Sequence, residues 1–124
     1  MELAAKRFAD TVALYPAGRI DHATADAFRA ALAPHLAGVG AGRDRAVIDL
    51  AGVEYISSVG LRVLILASKQ VKAQGGALAV ADLQPVVHEI FEISRFNLVL
   101  EVFPTLREAL AKLSPAALTA FESA

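Results

Sequence analysis

The sequence predicts an α/β domain built on a mainly parallel sheet of four to five strands with about four helices. Two observations carry that reading. Short runs of β-branched and aliphatic residues, TVALY at 11–15, AVIDL at 46–50 and ALAVA at 77–81, alternate with longer segments of helical period. Proline, glycine and small polar residues stand at the changes from one pattern to the other. At 124 residues the chain is long enough for one buried core and too short for a second, so 1–124 is read as a single domain whose segment 110–124 holds the end of the last helix and a tail.

Taken in order, Glu2 to Phe8 is a candidate first strand and Thr11 to Tyr15 a second, closed by Pro16 and Gly18. GRID then leads into a helix from Ala23 to Leu36, with Asp21 or Thr24 as its cap, apolar positions at Ala25, Phe28, Ala31, Leu32 and Leu36, and Pro34 placed late to end or bend it. The segment GVGAGRDR, Gly38 to Arg45, carries glycines at alternate positions. A phosphate loop would have to follow a strand and open a helix; this one follows a helix and opens a strand, so it reads as a flexible connection.

The stretch Arg45 to Gln74 holds the chemistry. A core strand interrupted only by Asp49 runs to a turn bearing Ser57 and Ser58, and a helix starts at or just after those hydroxyls. Leu61, Leu64, Ile65 and Val71 repeat at the helical period, and Gly75 and Gly76 end the helix. A serine here has an ordinary use, since its oxygen caps the helix by accepting a backbone N–H two or three residues on. It has a second use as well: an exposed hydroxyl at a helix start can take a phosphoryl group whose charge the helix dipole tolerates. The two uses can fall to different serines.

Beyond it, Ala77 to Ala81 reads as a strand ended by Asp82. A helix follows from Pro85 to about Ser94, with Val86, Val87, Ile90 and Phe91 turned to the core. Leu98 to Phe103 reads as a further strand. TLREALAKL is a helix opened by the capping box of Thr105 and Glu108, and Pro115 breaks it, leaving a tail that is a short turn or frayed. In parallel sheets ligand and partner sites gather at the carboxyl ends of strands. Asp21, the two serines and Asp82 each follow a strand and are expected along one edge.

Composition narrows the function. With Lys+Arg 12 against Asp+Glu 13, and aromatic residues only 6%, the chain lacks both the basic footprint of a nucleic-acid binder and the stacking platforms of a single-strand binder. Hydrophobic residues at 56% argue for a packed chain rather than a disordered one. The absence of cysteine excludes disulfides, thiolate catalysis and the common zinc sites. His22, His35 and His88 show no metal-ligand spacing and are read as surface residues. No apolar run is long enough to span a bilayer and no signal segment is visible, which points to a cytoplasmic protein without membrane insertion.

Four blocks, GRIDHATADAF, VIDLAGVEYISSVGLRVLI, the Gly75 to Val80 segment and VVHEIFEISRFNLVLEVFPTLREAL, together resemble a STAS domain, in particular a bacterial anti-sigma factor antagonist. The likeness runs from about Gly18 to Leu110. It implies a protein that binds an anti-sigma factor which is also an ATP-dependent serine kinase, releases the sigma factor, and is switched off by phosphorylation, with a cognate phosphatase to reset it. By position the phosphoserine of that family falls on Ser58, with Ser57 as the alternative. Ser57 stands where the family has aspartate and Val59 where it has a second serine. The resemblance further implies Asp21, Ser57, Ser58, Gly60, Leu61 and Arg62 as the partner-binding set. Arg62, one turn beyond Ser58, is within reach of a phosphate or a partner carboxylate.

ATP and Mg²⁺ would belong to the partner, so the resemblance implies no cofactor, metal or catalytic residue in this chain. The Ser-x-Gly at Ser58 to Gly60 also suggests a hydrolase elbow, but Ile56 occupies the place of its first glycine and no oxyanion-loop glycine run precedes it. The alternative within the family is a docking subunit of a lipid-transport or stress-sensing complex with no phosphorylation cycle.

Overall fold

Strands β1 (Leu3–Phe8) and β2 (Thr11–Pro16) form an antiparallel hairpin, and β4 (Arg45–Asp49), β6 (Leu78–Ala81) and β7 (Glu101–Phe103) extend it in parallel in the order β1-β2-β4-β6-β7. These elements come from a computed structural model that describes residues 3–40 and 44–124. Glu2 and the middle of the predicted glycine-rich connection, residues 41–43, lie outside the described residues.

β2, β4 and β6 are near-continuous apolar runs because both faces of the sheet are covered. Val12, Leu14, Ala46, Ile48 and Val80 face one core with Phe28 and Leu32 of α1 (Ala25–Leu36), Leu64 and Val71 of α2 (Ser58–Ala73), and Val87 and Phe91 of α3 (Pro85–Ile93). The alternate residues Ala13, Val47 and Ala81 face a smaller core closed by Leu106 and Leu110 of α4 (Leu106–Leu113) and Ala117 of α5 (Pro115–Glu122). The period-two alternation of each central strand thus divides its side chains between two helical layers.

Two short strands were not anticipated. β3 (Gly18–Ile20) and β5 (Val53–Ile56) pair in parallel and resume the β2–β4 pairing beyond a break at Ala17 and Leu50–Gly52. Three or four residues amid glycine and charge give too little periodicity to read, and it is the pairing of the two that makes them strands.

The structure revises other expectations. Helix α1 begins at Ala25, not Ala23, because Asp21 to Thr24 form a hydrogen-bonded turn of their own. Val86 is 53% exposed rather than in the core, since the buried stripe of α3 is Val87 and Phe91. Phe96–Leu98 is a single 3-10 turn entered through Arg95 in the left-handed region, which confines β7 to three residues. Pro115 does end α4, but it also opens α5 as a first-turn proline with Ser114 as cap, so the tail is ordered and the described residues form five helices. Phe8 and Phe121 meet edge to face at 5.4 Å and hold α5 on the hairpin. His22 and His88 are exposed, whereas His35 is half-buried.

Candidate functional site

The β3–β5 pair delivers the predicted residues to one place. Ile20 stands opposite Ile56, and the Ser57 N–H donates to the Ile20 carbonyl at 2.8 Å, so the chain leaves both strands side by side, with Asp21 next to Ser57. Ile20 and Ile56 are buried in the core, Arg19 is exposed, and Tyr55 and Asp21 are half-buried.

The two serines divide their uses. Ser57 has extended backbone and its Oγ accepts the Gly60 N–H at 3.3 Å, which makes it the N-cap of α2. Ser58 is the first helical residue and is exposed; among the described residues its hydroxyl has no hydrogen-bond partner. No acidic residue occupies the first turn of the sixteen-residue α2. Val59 beside it is 44% exposed, and Arg62, one turn on, is also exposed.

Gly60 and Leu61 belong to the interior. A Cβ on Gly60 would stand 2.7 Å from Ile20 Cγ2 and 2.8 Å from Ile56 Cγ1, so the glycine lets α2 seat directly on the β3–β5 pair. Leu61 is only 5% exposed and packs in the larger core. Both were expected to touch a partner. Their burial instead makes them the support beneath Ser58, Val59 and Arg62.

Asp21 works locally rather than as the helix cap. Its Oδ1 accepts the Ala23 N–H at 3.0 Å, while Thr24 Oγ1 accepts the Asp21 N–H at 3.0 Å and donates to the Arg19 carbonyl at 2.9 Å. The second carboxylate oxygen, Oδ2, stands 3.8 Å from Arg19 Nε. The Arg19 guanidinium lies over the Tyr55 ring, 4.4 Å from its centroid. Neither Arg19 nor Tyr55 was singled out from the sequence. Recognising β3 and β5 as paired strands is the signal that would have placed them.

Asp82 has partners of its own. It follows β6, where Ala81 stands opposite Asp49, so the Asp82 carboxyl is near enough to Asp49 to bear on its charge. β5 stands between Asp49 and Ser57 along the chain. Asp49 is 7% exposed; burial foremost, with Asp82 beside it, pushes its carboxyl up to about 6 although the Ala51 N–H, bound at 2.9 Å, opposes the rise. Asp82 sits in the left-handed region and its Oδ2 accepts the Leu106 N–H at 3.0 Å, which ties β6 to the start of α4.

The site is thus a paired strand end that brings an exposed serine to a helix start, on an α/β sheet covered by helices on both faces. The model of the STAS domain matches residues 2–109, and the chain belongs to that family. Similar proteins include BtrV of Bordetella bronchiseptica, a candidate anti-sigma factor antagonist, 44% identical over 96 residues that span 76% of this chain and 78% of that protein. Among solved structures, a candidate anti-sigma factor antagonist from Thermotoga maritima superposes with a TM-score of 0.80 at 21% identity, covering 90% of this chain and 93% of the other. The Bacillus cell-fate determinant SpoIIAA in its phosphorylated form superposes with a TM-score of 0.64 at 16% identity, covering 91% of this chain and 100% of that one. Among the described residues, no helix is long and apolar enough to cross a membrane.

Proposed function

We propose that this chain is an anti-sigma factor antagonist whose grip on an anti-sigma factor with serine kinase activity is released by phosphorylation of Ser58. The observation that carries the proposal is the division of labour at the start of α2: Ser57 spends its oxygen on the Gly60 N–H, and Ser58 presents an exposed hydroxyl with no hydrogen-bond partner among the described residues. The likeness to BtrV supports the antagonist role.

In this reading the docking face is Asp21, Ser58, Val59 and Arg62, with Gly60 and Leu61 holding it from below. The partner brings ATP and Mg²⁺. The Ser58 oxygen attacks the γ-phosphorus, a new P–O bond forms as the bond to the β-phosphate oxygen breaks, ADP leaves, and the hydroxyl proton passes to a base of the partner. The product carries nearly two negative charges in the middle of the contact. Burying them against a surface that had matched a neutral hydroxyl costs several kcal/mol, enough to change affinity by orders of magnitude. A cognate phosphatase restores the hydroxyl. This cycle places the chain in the cytoplasm, where ATP and sigma factors are found.

The test is to isolate the chain with its bound partner, add ATP and Mg²⁺, and follow both phosphate incorporation and complex integrity. One phosphate on Ser58 with release of the partner is the expected result. A Ser58→Ala chain that takes up phosphate at the wild-type rate, or a complex that survives full phosphorylation, would overturn the proposal.

A further inference from the structure

We infer that Arg19 is the cation that receives a phosphate on Ser58, exchanging its contact with Asp21 for the phosphoryl oxygens. The inference rests on Ser58 as the modified residue and adds to that reading the group that answers the new charge.

Three geometric facts carry it. Arg19 and Tyr55 are paired across β3 and β5, and the guanidinium lies over the ring at 4.4 Å, so the side chain is held on the outward face rather than free in solvent. Its contact with Asp21 is a single long approach from Nε at 3.8 Å, which leaves the terminal NH1 and NH2 groups uncommitted among the described residues. Ser58 stands three residues beyond Tyr55, the strand partner of Arg19, and a backbone run of at most about 10 Å from Tyr55 is comparable with the combined reach of an arginine and a phosphoserine side chain.

The energetics favour the exchange. Arg19 is 57% exposed and its pairing with Asp21 is loose, so little is lost when it breaks. A phosphate offers up to two charges and three oxygens to a planar fork that can bind two at once. Without Arg19 the phosphate would have only Arg62, one turn along α2, and the partial positive charge of the α2 N-terminus to set against the Asp21 carboxylate. With it, phosphorylation both adds an anion at Ser58 and uncovers the one on Asp21. The docking face would then become more negative at two points for one chemical event.

The experiment installs phosphoserine at position 58 during translation, so that no kinase is required, and titrates the phosphate by ³¹P NMR. Arg19→Gln is expected to raise the second phosphate pKa by about half a unit, because a nearby cation favours the dianion. Arg19→Lys should recover most of that shift. Arg107→Gln, which removes the same charge from α4, gives the baseline for a general change in charge, and thermal melts confirm that each variant is folded. A pKa unmoved by Arg19→Gln, or moved no further than by Arg107→Gln, overturns the assignment whatever Arg62→Gln does. A chain that no kinase modifies would defeat the proposed function and leave this result standing, so the two failures are distinct.

Discussion

Ser57 Oγ accepts the backbone N–H of Gly60 at 3.3 Å, and that one bond separates two adjacent serines into a structural residue and an available one. The bond satisfies one of the amide donors that every helix start leaves unpaired.

Ser57→Ala should therefore act on stability and not on modification. Loss of an N-cap costs about 1 kcal/mol, which for a domain of this size lowers the melting temperature by about 4 °C. Phosphate incorporation measured on the folded variant should persist.

Ser58→Ala should show the opposite pattern. Its side chain makes no hydrogen bond among the described residues and alanine is a good helix former, so denaturant unfolding should be unchanged or slightly improved. Binding to the partner should be retained and phosphate uptake abolished. Ser58→Asp should weaken binding only in part, since one charge stands in for nearly two; calorimetric titration of both variants checks the order.

Gly60→Ala sets two effects against each other. Alanine improves helix propensity by about 1 kcal/mol. Its methyl group, however, would lie inside normal contact distance of Ile20 Cγ2 and Ile56 Cγ1 and 3.1 Å from the Ile20 carbonyl, and overpacking of this kind costs about 1–3 kcal/mol. Because the Ile20 carbonyl is backbone already bonded to Ser57, it cannot move aside freely. The steric cost should win, giving a less stable protein in urea titrations and weaker partner binding as α2 lifts from β3 and β5.

Asp49 predicts the pH dependence. Its folded pKa of about 6 lies above the ordinary carboxyl value, so the native state holds a proton that the unfolded chain gives up. Between about pH 4 and pH 6 its contribution to stability is therefore lost as pH rises, and above that window the charged carboxylate is a fixed penalty. Asp49→Asn keeps an oxygen for the Ala51 N–H and offers an N–H toward Asp82, so it should flatten this part of the melting-temperature profile. At pH 7.5 the variant should be at least as stable as the parent. A steeper profile in the variant would place the source of the dependence elsewhere.

Much of this was legible before any coordinates. Periodicity separated α2 from β4, the serines marked the start of α2, and the Thr105 cap on Glu108 N–H appears as expected at 3.1 Å. These features are local: a strand's alternation, a helix's stripe and a cap each involve residues a few positions apart. The illegible parts all depend on contacts between distant segments. Val86 and Val87 are chemically alike, and only the seating of α3 decides which is buried. Pro115 reads as a break after α4, yet the hydroxyl of Ser114 beside it reaches Asp10 at 2.6 Å, across nearly the whole chain.

The order of residues alone determined an α/β domain with a serine at the mouth of its central helix, because hydrophobic period and helix-start chemistry are written within short windows. Which serine is spent and which is offered, why Gly60 must be bare, and how Arg19 comes to stand over Tyr55 beside Asp21 were decided by the pairing of β3 with β5. That pairing joins segments more than thirty residues apart, and its hydrogen bonds have no counterpart in either segment taken by itself.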